Sequence, residues 1–220
     1  MQGAVPVKHF VILFALVLGI AVPAVGGDTP PDQLVRERTG RIIELLKANK
    51  DAYAKDHKKL YTMVNEQVLP YFDFRAMSRL VLGKHWREAN DGQRERFTAE
   101  FRDLLVRTYA TALLKYTNEQ VLYLPFRSSP GEKTATVKTE VKQAGGGPNI
   151  PIHYSFYLTD QSWKVFDVVI DGVSLVTTYR GTYAEKIKNE GMDALIASMK
   201  KTEKEDALGK AREKKTGGAK

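Results

Sequence analysis

Apolar residues between positions 97 and 116 recur three and four apart: Phe97, Phe101, Leu104, Leu105, Tyr109, Ala112, Leu113 and Tyr116. That spacing is the signature of an α-helix with one buried stripe, and it predicts a long helix over 91–116. Arg94, Arg102, Arg107 and Lys115 fall mainly off the stripe and should be solvated. Upstream, Leu34, Ile42, Leu45 and Leu46 predict a helix over 29–49. Pro30 and Pro31 sit in its first turn, where a missing N–H costs nothing. Tyr53, Leu60, Met63, Val64 and Val68 predict a second helix over 51–69, ended by Pro70. Phe72-Asp73-Phe74 then opens a short third helix. Asp73 can cap it by accepting a backbone N–H; Met77, Leu80 and Val81 share a face, and Gly83 supplies the stop.

After Asn118 the period falls to two. Four strands are predicted, over 120–126, 134–143, 150–159 and 163–170. Thr134, Thr136, Lys138, Glu140 and Lys142 alternate with Ala135, Val137 and Val141, so one face of that strand is wet. Ile152, Tyr154, Phe156 and Leu158 alternate with His153, Ser155 and Thr159. The turns at Pro130-Gly131, at 145–148 and at 160–162 are short enough for antiparallel hairpins. Two helices, over 174–188 and 192–201, close the pattern. Helices, then a meander, then helices imply an α+β fold: an antiparallel sheet of four or five strands wrapped by helices on one side.

The ends read differently. Lys8 precedes an apolar run from Phe10 to Val22, the length of a signal-peptide core and short of the roughly 20 residues a spanning helix needs. Small residues follow it, so 1–26 is expected to be a signal peptide cleaved between Ala24 and Gly27. One domain over 27–201 and a basic, disordered tail over 202–220 complete the expected organisation. The formal charge of +8 owes one charge to Lys8 and four to residues 200–220, which leaves about +3 on the domain. A mildly basic exported protein suits an anionic membrane surface and gives no reason to expect nucleic acid.

Candidate chemistry is sparse. With no Cys there is no disulfide, thiolate ligand, thiol nucleophile or lipid attachment site. His57, His85 and His153 stand apart, with no metal-binding spacing, so no metal is expected. Gly145-Gly146-Gly147 lacks the Lys-Ser/Thr and the helix of a phosphate cradle and reads as a hairpin turn. Asp167 and Asp171 have no His or Lys partner in view and read as surface or capping groups. No catalytic residue is therefore expected. What the chain does offer is aromatic and aliphatic side chains on both layers, drawn from 2 Trp, 10 Tyr and 9 Phe. Periodicity cannot say whether they fill a solid core or line a hollow.

The stretch Val68-Leu69-Pro70-Tyr71-Phe72-Asp73-Phe74 resembles the MlaC-type toluene-tolerance family of periplasmic phospholipid-binding proteins. The resemblance continues through Leu82-Gly83-Lys84-His85-Trp86, Gln93-Arg94-x-Arg96-Phe97 and Phe101-Arg102-x-Leu104-Leu105-x-x-Thr108-Tyr109. It returns from Val168 to Val176, at Tyr179-Arg180 and at Gly191-Met192-Asp193-Ala194-Leu195. Glu88-Ala89-Asn90-Asp91, at a helix start, and the long basic tail depart from the family pattern.

The resemblance implies an apolar cavity between sheet and helices that takes phospholipid tails as cargo, without a cofactor. It also implies a periplasmic carrier in a Gram-negative bacterium. Its partners would be an inner-membrane ABC transporter complex and an outer-membrane lipoprotein–porin complex, in a system that maintains outer-membrane lipid asymmetry. A monomer is expected. The candidate lining is Phe74, Met77, Leu80, Val81, Tyr109, Leu113, Tyr123, Tyr154, Phe156, Val168, Ile170, Val173, Leu175 and Tyr179. Arg75, Arg79 and Lys84 are candidate headgroup contacts. Carriage of an isoprenoid or a fatty acid would leave the same sequence pattern. A secreted hydrolase would need a nucleophile beside a base, and a purely structural protein would have a solid core.

Overall fold

The computed structural model describes residues 29–200 apart from Thr117, Pro130, Ala144 and Gln161. The signal peptide expected over 1–26 and the tail expected over 202–220 lie outside the described residues.

Helix α1 (Pro31–Lys55) begins on Pro31 and bends at Asn49, whose backbone leaves helical geometry (φ −128°, ψ 17°). The Asn49 side chain donates back to the Leu45 carbonyl at 3.0 Å, a local bond that competes with the helix ladder. Hydrogen bonding nevertheless continues to Lys55. The break expected near Lys50 falls instead at Asp56, whose carboxylate accepts from Lys58 N and starts α2 (His57–Gln67). A single 3₁₀ turn (Leu69–Tyr71) leads into α3 (Phe74–Leu82). There Asp73 caps through Ala76 N at 2.8 Å, and Gly83 ends the helix at φ +56°. A short helix α4 (His85–Glu88) precedes α5 (Asp91–Ala110). Asn90 and Gln93 close a reciprocal capping box at the start of α5. The expected continuation to Tyr116 is a tighter 3₁₀ turn over Thr111–Lys115.

The sheet is a five-stranded antiparallel meander in sequence order: β1 (Gln120–Tyr123), β2 (Thr134–Lys142), β3 (Ile150–Leu158), β4 (Trp163–Ile170) and β5 (Val173–Ser174). Strand β1 ends short of the expected Phe126, just before Pro125, a residue with no ladder donor. Helix α6 (Leu175–Glu190) and a final helix α7 over residues 192–200 follow. Among the described residues no helix is long and apolar enough to cross a membrane.

The sheet's covered face carries Val137, Thr139, Tyr154, Phe156, Val165 and Val168. A register shift sets Ser155 opposite Asp167 but Phe156 opposite Val165, so Phe166 is an extra residue. This bulge puts Val165 and Val168, three apart, on the same face. It turns Phe166 outward, where its ring meets Tyr157 edge-on at 6.0 Å. The α3 entry is fastened to the sheet: Asp73 N donates to Val165 O, and the Tyr157 hydroxyl donates to the Asp73 carboxylate.

Three apolar clusters result. The first joins α3, α5, α6 and α7 around Phe97, Phe101, Tyr183 and Leu195. The second joins α1, α2 and the end of α5 around Leu60 and Val106. The third lies between α1 and the sheet.

Candidate functional site

The three clusters do not meet in a solid centre. Between them lies a cavity of about 300 Å³, lined almost wholly by carbon. Its size reaches the range of ligand sites.

Helix α1 brings Leu34, Val35, Arg38 and Ile42 to the wall, residues spaced one, four and eight along one face. From α2 and the 3₁₀ turn come Val64, Gln67, Leu69 and Tyr71; α3 adds Phe74 and Met77. Helix α5 divides its apolar surface. Phe97 and Phe101 turn into the first cluster, whereas Val106, Tyr109 and Ala110 turn toward the hollow, with Leu105 shared. Leu113 lies just beyond that helix on the same wall. The floor is the sheet: Ile152, Tyr154 and Phe156 from β3, and Val165, Val168 and Ile170 from β4. Leu175, the first residue of α6, closes one side. The bulge is what makes this floor, since unbroken alternation back from Val168 would have turned Phe166 inward in place of Val165.

Polar groups on the wall are few. Tyr154 is part-buried, and burial of its phenol pushes the pKa up to about 12, a rise that a hydrogen bond to Thr139 partly offsets. It is a neutral phenol at any ordinary pH, so it adds no charge to the floor. Thr139 itself donates to the Ile152 carbonyl at 2.9 Å, which satisfies a buried hydroxyl on the sheet. Tyr109 is 37% exposed although it lines the wall, so the hollow is not sealed from water. Among the described lining residues, Arg38 alone carries a charge.

Of the expected lining residues, Phe74, Met77, Tyr109, Leu113, Tyr154, Phe156, Val168, Ile170 and Leu175 reach this cavity. Five do not. Leu80 and Val81 turn from the hollow into the cluster against α5 and α6. Tyr123 lies toward the β1 edge with Arg36 stacked over its ring at 4.3 Å. Val173, at the tip of the β4–β5 hairpin, is 56% exposed. Tyr179 packs edge-on against Phe101 at 5.2 Å and beside Tyr183 at 5.3 Å. Burial pushes the Tyr179 phenol up to about 12, and its hydrogen bond with Tyr109 adds to the rise.

The contribution of α1 and the 3₁₀ turn was not foreseen. The interrupted stripe of Leu34 and Ile42 was its only trace, and the placing of Arg38 over the Tyr71 ring depends on residues distant in sequence.

The other candidates resolve simply. Arg75 is exposed beside the Trp86 ring, and Arg79 and Lys84 are exposed; none of the three lines the cavity. Asp167 accepts from Val168 N, Val176 N and the Ser174 hydroxyl, and so caps α6. Asp171 holds the hairpin turn at φ +50°, exposed to solvent. His85 pairs with Glu88 at 2.6 Å. Neither carboxylate has a His beside it on the cavity wall, as a hydrolase would require.

Left dry and closed, a hollow of 300 Å³ forfeits packing worth on the order of 7 kcal/mol. That is comparable to the entire net stability of an ordinary domain. A wall of this composition suits hydrocarbon over most of its area, with Arg38 as the one charged exception among the described lining residues.

Comparison with known proteins points the same way. The family model described as MlaC protein matches residues 36–201. The intermembrane phospholipid transport system binding protein MlaC of Haemophilus influenzae is 26% identical over 198 residues, covering 89% of this chain and 92% of that protein. The toluene tolerance protein ttg2D of Pseudomonas putida is 28% identical over 182 residues, covering 82% and 83%. A phospholipid-binding protein from Ralstonia solanacearum, solved in complex with a phospholipid, superposes with a TM-score of 0.73 at 26% identity. That likeness covers 79% of this chain and 96% of the solved one.

Proposed function

The chain belongs to the MlaC family, and from that premise we propose that it is the periplasmic phospholipid-binding component of an intermembrane phospholipid transport system. The observation that carries the proposal is the apolar cavity between α1, the sheet and α3. The name of the Haemophilus influenzae relative and the bound phospholipid of the Ralstonia solanacearum neighbour support the choice of cargo.

The physics of the task fits the site. Each methylene moved from hydrocarbon into water costs about 0.8 kcal/mol. Two acyl chains of roughly 30 methylenes together therefore cost on the order of 24 kcal/mol to expose, and unaided desorption is very slow. A cavity wall of Leu, Ile, Val, Phe and Met side chains substitutes for the bilayer interior and brings transfer close to balance. Such exchange makes and breaks no covalent bond, so the carrier needs no catalytic residue. Direction comes from its partners: an inner-membrane ABC transporter complex at one end and an outer-membrane lipoprotein–porin complex at the other. The carrier works between them as a monomer.

The test is organic extraction of the protein purified from its own periplasm, followed by mass spectrometry. Phospholipid at a stoichiometry of one or more per chain is expected. Extracts that hold only fatty acid or isoprenoid, or no lipid, would overturn the assignment of cargo.

A further inference from the structure

Arg38 is out of keeping with the wall it stands on. It lines the apolar cavity from α1, half-buried. Its Nε is shielded from water and has no hydrogen-bond partner among the described residues. None of the ion pairs among the described residues includes it. A guanidinium taken partly out of water without a counter-ion is unfavourable, and a buried donor left unpaired costs more than an ordinary hydrogen bond returns.

The other cations near aromatic rings do not share this state. Arg94, beside Trp86, donates to the Trp86 carbonyl and pairs with Asp91 at 2.9 Å. Arg36, over Tyr123, is exposed and absent from the cavity wall. Arg38 has one neighbour of note, the Tyr71 ring, 4.8 Å from its central carbon. A ring set over a guanidinium leaves the donors free, because they lie in the guanidinium plane and point outward from its edge. The Nε–H and the N–H beside it form the fork that two oxygens of a phosphate fit.

We propose that Arg38, steadied by Tyr71, anchors the phosphate of the bound lipid, so that the cavity selects phospholipids by their phosphodiester as well as by their tails. The proposal rests on the phospholipid-carrier reading and adds a named anion receptor to it. The lipid phosphate completes the hydrogen bonding of Arg38, and the tails run from there along the α1 face toward the sheet.

The experiment is competitive loading. The full chain is stripped of lipid and equilibrated with mixed vesicles containing phosphatidylglycerol, free fatty acid and diacylglycerol of matched acyl chains. The protein is then re-isolated, extracted and its lipids counted. Hydrogen bonds from a charged donor predict that wild type prefers phosphatidylglycerol over diacylglycerol by about 10- to 100-fold beyond their ratio in the vesicles. In Arg38→Leu the preference falls to within about threefold while diacylglycerol is still taken up; Arg38→Lys, which keeps charge but loses the fork, falls between. Should Arg38→Leu fail to fold by circular dichroism, Arg38→Gln carries the same prediction.

An unchanged preference in the folded variant would overturn the assignment and leave the carrier reading intact. Fatty acid outcompeting phosphatidylglycerol in wild type, with the advantage lost in Arg38→Leu, would overturn it in favour of a carboxylate receptor. Wild type that takes up no phosphatidylglycerol at all would instead overturn the carrier reading itself.

Discussion

Two regions of this molecule are built from the same residue types and have opposite outcomes. Between α5 and α6 the rings of Phe97, Phe101, Tyr179 and Tyr183 interlock at centroid distances of 5.2 to 6.2 Å, offset or edge-on, and fill the space. Between α1, α3 and the sheet, Phe74, Tyr154 and Phe156 stand around a hollow and do not close it. The difference lies in what faces each ring. In the first region α5 and α6 both pack on α3, and their large aromatic side chains meet one another across the space between them. In the second, Asp73, fastened to Val165 and Tyr157, holds the α3 entry against the sheet while α1 crosses over β2. These fixed attachments keep the walls apart. One region therefore carries stability and the other carries space.

Substitutions should separate these roles. Phe101→Ala removes a fully buried ring from the filled region and is expected to cost about 3–5 kcal/mol of unfolding free energy. The fraction that remains folded should keep its lipid. Leu175→Trp, aimed into the hollow, should do the reverse: most bound lipid is lost, while stability changes by about 1 kcal/mol or less because the added ring occupies space already present. Urea midpoints measured beside extracted lipid per chain would show both. If Leu175→Trp destabilised as much as Phe101→Ala, the two regions would not differ in kind.

A smaller effect comes from the tyrosines of the two regions. The Tyr154 and Tyr179 phenols both lie near 12, raised mainly by burial from an unfolded value of 10. A raised folded value means that the native state holds its protons after the unfolded chain has released them. The stability this contributes is fully present below pH 10 and is lost as pH rises through about 12. Urea midpoints should thus be level from pH 8 to about 9.5 and fall beyond pH 10. The fall should be shallower in Tyr154→Phe. An identical decline in that variant would mean that the cavity floor is wetter than described.

The smallest expected effect is that of Val173→Trp. Val173 is 56% exposed on a hairpin tip, so lipid content should hold and stability should move by less than about 0.5 kcal/mol. Loss of lipid in this variant would extend the cavity mouth to the β4–β5 hairpin.

The same contrast explains what could be read from the chain alone. Helix and strand placement rested on local periods and caps. Asp73, Gly83 and the three-and-four spacing from Phe97 located α3 and α5 because those signals act within a turn or two. The break at Asp56 was missed because Asn49 bends the helix without ending it. Resemblance to the family carried the cavity itself, which period cannot distinguish from a core. Residue by residue, the wall was legible where a helix or strand presents one face to one neighbour, as at Met77, Phe156 and Ile170. It was not legible where an element presents two faces. Tyr179 and Leu80 have inward periodicity but point into the filled cluster. Val165 reaches the floor only through the bulge beside it. Arg38 could not be found from pattern at all, since a charged residue in a helix ordinarily marks the wet side.

The central claim is that the hollow between α1, α3 and the sheet is where hydrocarbon resides. Electron density of the protein as purified, without added lipid, tests it most directly. The account predicts elongated density within van der Waals distance of Met77, Phe156 and Ile170. A centre closed by those same side chains, with lipid density on the outer surface or nowhere, would contradict it.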